Sequence, residues 1–538
     1  PRAAAMTEPP DVMANTDGSP GLVCSRWREV ELVFHPVVHL DNPYVEGGFE
    51  ADFVHEEGVV LRRPAFWDGA NTWRIRFAPT LEGRWDWTVR ARAPLDEVDG
   101  RSGTIECVAT DETTETAFRR HGFWRMSAGG RSLVHADGTP AILVADTAWA
   151  MPWRATHEQV VTYADDRSAK GFNAVLLMSV QPDLHTVGPR DRTADEGFDV
   201  GFEDLPEGQL KQLDAGYFQY LDGISATLAD RGIAAVLQPV FQGFGWKGPP
   251  VAGNVVSPED YARYCRYLVA RYGARPAIHL VGADGTGQEP QCEAGGREVS
   301  GWDCYEQPTG LHYQPHAVAD AHQDAEWLDF QWCQTGHGGE HVPERVADLA
   351  RNRPVKAVAN GEPTYERTGG PERAAGWWQG HEAWCNLFAG GTMGVVYGAA
   401  SLWQWRLHPD EPGHSVSFAD PQSGWREALD FEGSTYVGLV GKILGRLPTT
   451  DMVPDRTVAI SPRVMRAPSG LVLAYQENGG PLDLRAPDVP LRYVVVDPRT
   501  GRIVEAGVRS STDEPVPDSS TEPRIYLCGD DVHLAVHP

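Results

Sequence analysis

Between about Phe118 and Leu444 the chain repeats one rhythm: a short apolar run, a polar loop, an amphipathic stretch, and another apolar run. Runs too short for a helix, followed by stretches of helical period, predict strands that alternate with helices and pair in parallel. The predicted strands are Ala141–Asp146, Phe172–Met178, Ile233–Pro239, Ala277–Asp284, Trp327–Cys333, Val355–Glu362, Thr392–Tyr397 and a last short one, Ser401–Trp405. Helices are predicted over Thr156–Lys170, Asp214–Arg231, Ser257–Tyr272, Pro343–Asn352, Glu372–Phe388 and Gly424–Leu444. Thr156 and Ser257 stand as N-caps, and Gly171 and Gly232 as stops. Roughly eight such units over about 320 residues suit a (β/α)8 barrel. The alternative, a doubly wound sheet, usually has fewer repeats and a phosphate-binding loop.

On either side the period changes to two. Trp73-Arg74-Ile75-Arg76-Phe77 and Trp85-Asp86-Trp87-Thr88-Val89 alternate apolar and polar, as half-buried antiparallel strands do. They predict an N-terminal β-sandwich over 20–112, followed by an acidic, Thr-rich linker, Asp111–Thr116. The barrel is expected over 117–446 and a second antiparallel β-sandwich over 447–538, with Asp497-Pro498-Arg499-Thr500-Gly501 as a tight turn. A chain of 538 residues is too long for one core, which fits three domains.

Charge narrows the partners. A formal net charge of −28 opposes nucleic acid, anionic membranes and polyanionic substrates. No apolar run reaches membrane-spanning length, and the first 20 residues carry no apolar secretory core, so a cytoplasmic location is expected. The 8 cysteines show no C-x-x-C spacing, as reduced thiols would.

In a parallel barrel the C-terminal strand ends form the active face, so polar residues there are the candidates. They are Asp146, Gln181, Gln238, Asp284, Glu362, Tyr397 and Gln404, with Trp149, Trp153, Trp246, Trp403 and Trp405 close by. A carboxylate that closes an apolar strand is costly unless it is used or paired. Asp284 after AIHLVGA and Glu362 after VKAVANG are the clearest cases. Two such acids can protonate a glycosidic oxygen and attack the anomeric carbon. Glu362, with Tyr397 as a hydrogen-bond donor, is the expected nucleophile, and Asp284 the acid/base. Asp146 doubles as a cap, and Glu289 and Glu366 are read as loop or supporting acids.

Rival motifs fail on context. Gly243-Phe244-Gly245-Trp246-Lys247-Gly248 matches G-x-G-x-x-G, but Pro249 and Pro250 follow, leaving no helix to receive a pyrophosphate. His337-Gly338-Gly339-Glu340-His341 has two glycines where a zinc-binding helix face is needed. His312, His316 and His322 are placed in an inserted loop, Gln288–His322, as pocket or surface residues rather than ligands. No metal or cofactor is expected.

Leu143-Val144-Ala145-Asp146-Thr147-Ala148-Trp149, Gly171-Phe172-Asn173, Gly282-Ala283-Asp284, Glu362-Pro363-Thr364-Tyr365-Glu366 and Leu402-Trp403-Gln404-Trp405 resemble, in that order, the apiosidase-like glycoside hydrolases. The family's usual Gly-Gly-Asp reads Gly-Ala-Asp here. The resemblance extends to small β-domains before and after the barrel. It implies acid/base and nucleophile roles at Asp284 and Glu362, and a furanoside such as apiose or arabinofuranose, cleaved from an oligosaccharide or glycoside. A non-catalytic carbohydrate-binding protein is the second reading, and a metal-dependent hydrolase the third.

Overall fold

The computed structural model describes residues 13–15, 22–110, 113, 115–182, 200–243, 251–315, 320–335, 342–368, 375–409, 423–461, 463–485, 490–530 and 532. Trp246, most of the glycine-rich match at 243–248, His316 and the 337–341 motif lie outside the described residues.

The period-two segments form sheets. Leu22–Ser25, Ser102–Val108, Gly83–Ala91, Phe49–His55 and Val60–Pro64 make a five-stranded sheet. It faces a four-stranded one that contains Val30–Phe34 and Trp73–Phe77. Trp85, Trp87 and Val89 are buried while Arg84, Asp86 and Thr88 are exposed, so one face fills the core with Phe34, Phe53 and Phe77. At the other end, Val453–Pro454, Val464–Arg466, Val472–Gln476, Arg524–Cys528, Leu491–Val496 and Ile503–Arg509 make a six-stranded antiparallel sheet. Leu482, Leu484 and Val516 pack with Val472, Val495 and Tyr526 in its core.

Between them stands an eight-stranded parallel barrel. Its strands are numbered here β1 Leu143–Thr147, β2 Ala174–Met178, β3 Ala234–Gln238, β4 Ala277–Gly285, β5 Thr309–Tyr313, β6 Phe330–Gln334, β7 Ala357–Glu362 and β8 Gly394–Tyr397. Neighbours pair in order from β7 down to β1, then β8. The Met393 N–H, at the start of β8, donates to the Val358 carbonyl of β7 at 3.2 Å and draws the last gap together. Every residue of these strands is buried, which is why they read as continuous apolar runs. His157–Lys170, capped by Thr156 and Gln159 in a reciprocal box, and Pro258–Tyr272, capped by Ser257, belong to the helical layer.

Two members differ from expectation. Gln288–His322 is no insertion: it supplies the helix Pro290–Trp302 and strand β5. TGLHY lacks an apolar run, and its Gly310 is a steric requirement, since a Cβ there would lie 2.5 Å from the Phe330 carbonyl oxygen. Ser401–Trp405 is no strand. The Leu402 and Trp403 N–H groups both donate to the Ala399 carbonyl, making the helical turn Ala400–Trp403. Among the described residues, no helix is long and apolar enough to cross a membrane.

The N-terminal sheets grip the barrel through buried charge. Asp222 accepts from Arg76 at 2.9 and 2.7 Å and from Arg271 at 2.9 and 2.6 Å, both bidentate. Arg63 donates to the Val269 and Ala270 carbonyls near the end of the helix Pro258–Tyr272. Burial opposes the charge on Asp222, but Arg271 and Arg76 outweigh it and hold the carboxyl well below its ordinary range. A depressed carboxyl stabilises the fold fully above its unfolded value, about pH 4, and that contribution is lost as pH falls through the lower folded value. Asp222→Ala leaves two buried guanidinium groups without their shared carboxylate. Thermal denaturation at neutral pH should show a loss of about 3–5 kcal/mol, and the difference from wild type should shrink on acidification.

Candidate active site

Three consecutive strands and the one after them bring the polar groups together. Asp284 lies in β4, His312 in β5, Gln334 ends β6 and Glu362 ends β7. One ligand atom each of Asp284, His312 and Glu362 lies within 4.8 Å of the other two. All are buried, with Asp284 at 3% and Glu362 at 8% of full exposure.

Both acids are aimed by irregularities in the ladder. The β4–β5 register pairs Ala283 with His312 and Gly285 with Tyr313, so Asp284 is the extra residue of a bulge. Its φ of 59° is left-handed, a conformation that aspartate tolerates better than most side chains. The β6–β7 register pairs Cys333 with Asn360 and Gln334 with Glu362, which makes Gly361 the extra residue. Each slip turns the following side chain to a face that regular alternation would deny it.

Local contacts hold these bulges. The Ala283 N–H donates to the Gln242 side-chain oxygen at 2.6 Å, and the Gln242 N–H returns a bond to the Ala283 carbonyl at 3.0 Å. Tyr261 donates to the Val281 carbonyl at 2.6 Å, where the same ladder slips a first time. On β7, the Asn360 amide, oriented to satisfy both its ends, donates to the Glu362 and Cys333 carbonyls and accepts from Thr335 and Asn386. A Cβ on Gly361 would sit 2.6 Å from the Trp332 ring.

Around the acids, Gln334 donates to Asp284 Oδ1 at 2.8 Å, and His312 Nδ1 stands 3.5 Å from that oxygen. Gln238 faces His312 Nδ1 at 3.4 Å and accepts from the Trp149 indole at 2.6 Å. Trp149 meets Trp403 and Phe241 edge-on, with centroids 5.4 and 5.0 Å apart. Tyr365 is buried; burial first, then the charge of Glu362, push its phenol well above the usual range, so it remains a hydrogen-bond donor.

Two sequence candidates face elsewhere. Asp146 accepts from Arg167 at 2.6 Å, from Tyr163 at 3.0 Å and from the Thr147 N–H at 2.7 Å, a buried ion pair against the helix His157–Lys170. Tyr397 is its register partner on β8 and donates to Glu366 at 2.6 Å, not to Glu362. Glu366 also accepts from the Gly376 and Gly433 N–H groups, so it ties loops together. Glu289 accepts from the Thr286 N–H and hydroxyl, folding the loop after Asp284. Trp153 and Gln404 are buried. Gln334, Gln242 and Tyr365 are not among the sequence candidates for the site, and His312 is expected there only as a pocket or surface residue of a loop. The predicted strand Trp327–Cys333 stops one residue short of Gln334.

Among the described residues, Asp284, His312 and Glu362 are also compact enough to take a cation, which would occupy both acids. Gly361→Ala forces the Trp332 ring or the strand to move, displacing Glu362. A misplacement of this kind costs about 10²-fold in kcat/KM, which steady-state kinetics should show with far-ultraviolet circular dichroism unchanged.

Comparison with known proteins agrees with this geometry. The family model described as "Apiosidase-like, catalytic domain" matches residues 127–451, and one described as a domain of unknown function, DUF5060, matches residues 23–92. No curated protein matches the chain. A glycoside hydrolase family 5 structure from Bacteroides vulgatus ATCC 8482 is similar at 20% identity and a TM-score of 0.66, over 79% of this chain and 96% of that one. A second structure from that organism, assigned only provisionally as a glycoside hydrolase, is similar at 19% identity and a TM-score of 0.67, over 95% and 100%. These likenesses concern the fold. The match over the barrel, more than half of the sequence, shows that the chain belongs to the apiosidase-like family and is a glycosidase, with a carbohydrate substrate.

Proposed function

We propose that the protein is a retaining, exo-acting glycosidase for a furanoside of the apiose or arabinofuranose type, with Glu362 as nucleophile and Asp284 as acid/base. One observation carries the stereochemical part: the nearest ligand oxygens of the two acids lie within 4.8 Å. Retaining enzymes hold their carboxyl groups about 5–5.5 Å apart, whereas inverting ones leave about 6.5–9.5 Å for a water.

In the first step a Glu362 oxygen bonds to the anomeric carbon as Asp284 passes its proton to the leaving oxygen. In the second step Asp284 takes a proton from water, and the hydroxide portion displaces Glu362. The neutral Tyr365 phenol near Glu362 and the Gln334 amide on Asp284 supply dipoles where charge changes. Trp149 and Trp403 offer apolar rings for the sugar, and Gln238 a polar edge. The family description, apiosidase-like, favours a furanoside, and release of a terminal sugar is the simplest use of a site that deeply buried.

A panel of 4-nitrophenyl β-D-apiofuranoside and α-L-arabinofuranoside tests this. Glu362→Gln should lose about 10⁴-fold or more in kcat, and Asp284→Ala about 10²–10⁴-fold on poor leaving groups. Unchanged turnover in either variant would refute the assignment. Dialysis against a chelator should leave the rate unaltered, whereas loss restored by added zinc would make the three-residue cluster a metal site instead.

A further inference from the structure

We propose that His312 is the positioning residue that keeps Asp284 in its proton-donating form, and that Trp149, acting through Gln238, fixes the imidazole tautomer this requires. The proposal deepens the acid/base assignment of Asp284 and rests on it.

Hydrogen-bond direction selects the tautomer. The Trp149 indole nitrogen can only donate, and its partner at 2.6 Å is the Gln238 side-chain oxygen. That bond fixes which end of the amide is which, so the Gln238 nitrogen is the end facing His312 Nδ1 at 3.4 Å. An amide NH₂ offers only hydrogens, and an Nδ1–H would meet it donor against donor. Nδ1 therefore carries the lone pair, and the imidazole is the neutral Nε2–H tautomer. The ring has little freedom to turn away: His312 is buried in β5 and meets Trp332 edge-on at 6.0 Å.

This lone pair also stands 3.5 Å from Asp284 Oδ1. An ionised carboxylate would face it with negative charge against a lone pair, a repulsion that a protonated carboxyl does not meet. The tautomer thus favours the state that a general acid needs. Gln334 donates to the same oxygen from β6 at 2.8 Å and anchors it in either state. Glu362 and Tyr365 are titratable groups near the pair. An ionised Glu362 pushes in the same direction, because two like charges this close disfavour each other. Gln238, which lines the cleft, is therefore more than a sugar contact, and so is Trp149.

The full chain with Gln238→Glu tests the direction. Its carboxylate accepts from Trp149 with one oxygen and faces His312 with the other, demanding Nδ1–H and turning the lone pair away from Asp284. ¹⁵N-histidine NMR, with His312→Asn to assign the signal, should read Nε2–H in wild type and Nδ1–H in Gln238→Glu. Nδ1–H in wild type would overturn the proposal without a substrate. Kinetically, the ratio of kcat/KM for the 2,4-dinitrophenyl glycoside, which needs no acid, to that for a phenyl glycoside should rise about 10²-fold in Gln238→Glu, whatever the change costs in sugar binding, which both substrates share. Trp149→Phe should move the same ratio in the same direction. Equal losses on both leaving groups would mean a merely structural role. If Asp284→Ala itself shows no dependence on the leaving group, the acid/base reading fails, and not the relay alone.

Discussion

Two carboxylates must reach one space from strands that are otherwise wholly buried, and the bulges at Asp284 and Gly361 are what bring them there. In a regular strand the side chain alternates strictly, so the face of the final residue follows from the apolar run before it. A one-residue slip breaks that dependence. Bulges are uncommon between parallel strands, and the two that matter here sit at or directly before an acid. Burying a carboxylate costs several kcal/mol unless partners compensate. At Asp284 they include Gln334, and the braces at Gln242 and Asn360 hold the carriers.

The domain interface feeds this arrangement. Arg76 and Arg271 share Asp222, and Arg63 holds the last carbonyls of the helix Pro258–Tyr272. That helix leads within a few residues into β4, the strand that carries Asp284. The N-terminal sheets therefore hold the helix that leads into the strand carrying Asp284. A carboxylate shared bidentately by two guanidinium groups, as Asp222 is, adds specificity of docking as much as stability.

Much of the fold was legible because parallel strands write themselves as apolar runs and helices as capped amphipathic ones. The count of eight units came from a partly different set. TGLHY was passed over because a glycine and a histidine interrupt its apolar character, and both have structural reasons to be there. SLWQW reads as a short strand from its sequence, yet it turns back on Ala399. The rule that strand ends line the mouth does not say which way each end faces. It therefore collected Asp146 and Tyr397, register partners whose side chains bond Arg167 and Glu366. The same rule found Asp284 and Glu362 because Gly285 and Gly361 allow the backbone to slip beside them. His312 is legible only as one of three loop histidines, because the interrupted run TGLHY does not read as a strand.

Retention through Glu362 requires a covalent glycosyl intermediate on that residue. Incubation with a 2-fluoro-substituted aryl furanoside, followed by peptide mass spectrometry, should find the glycosyl label on the peptide containing Glu362, and no label in Glu362→Gln. A label on another carboxylate, or turnover without any label and with inverted anomeric configuration in the first product, would contradict it.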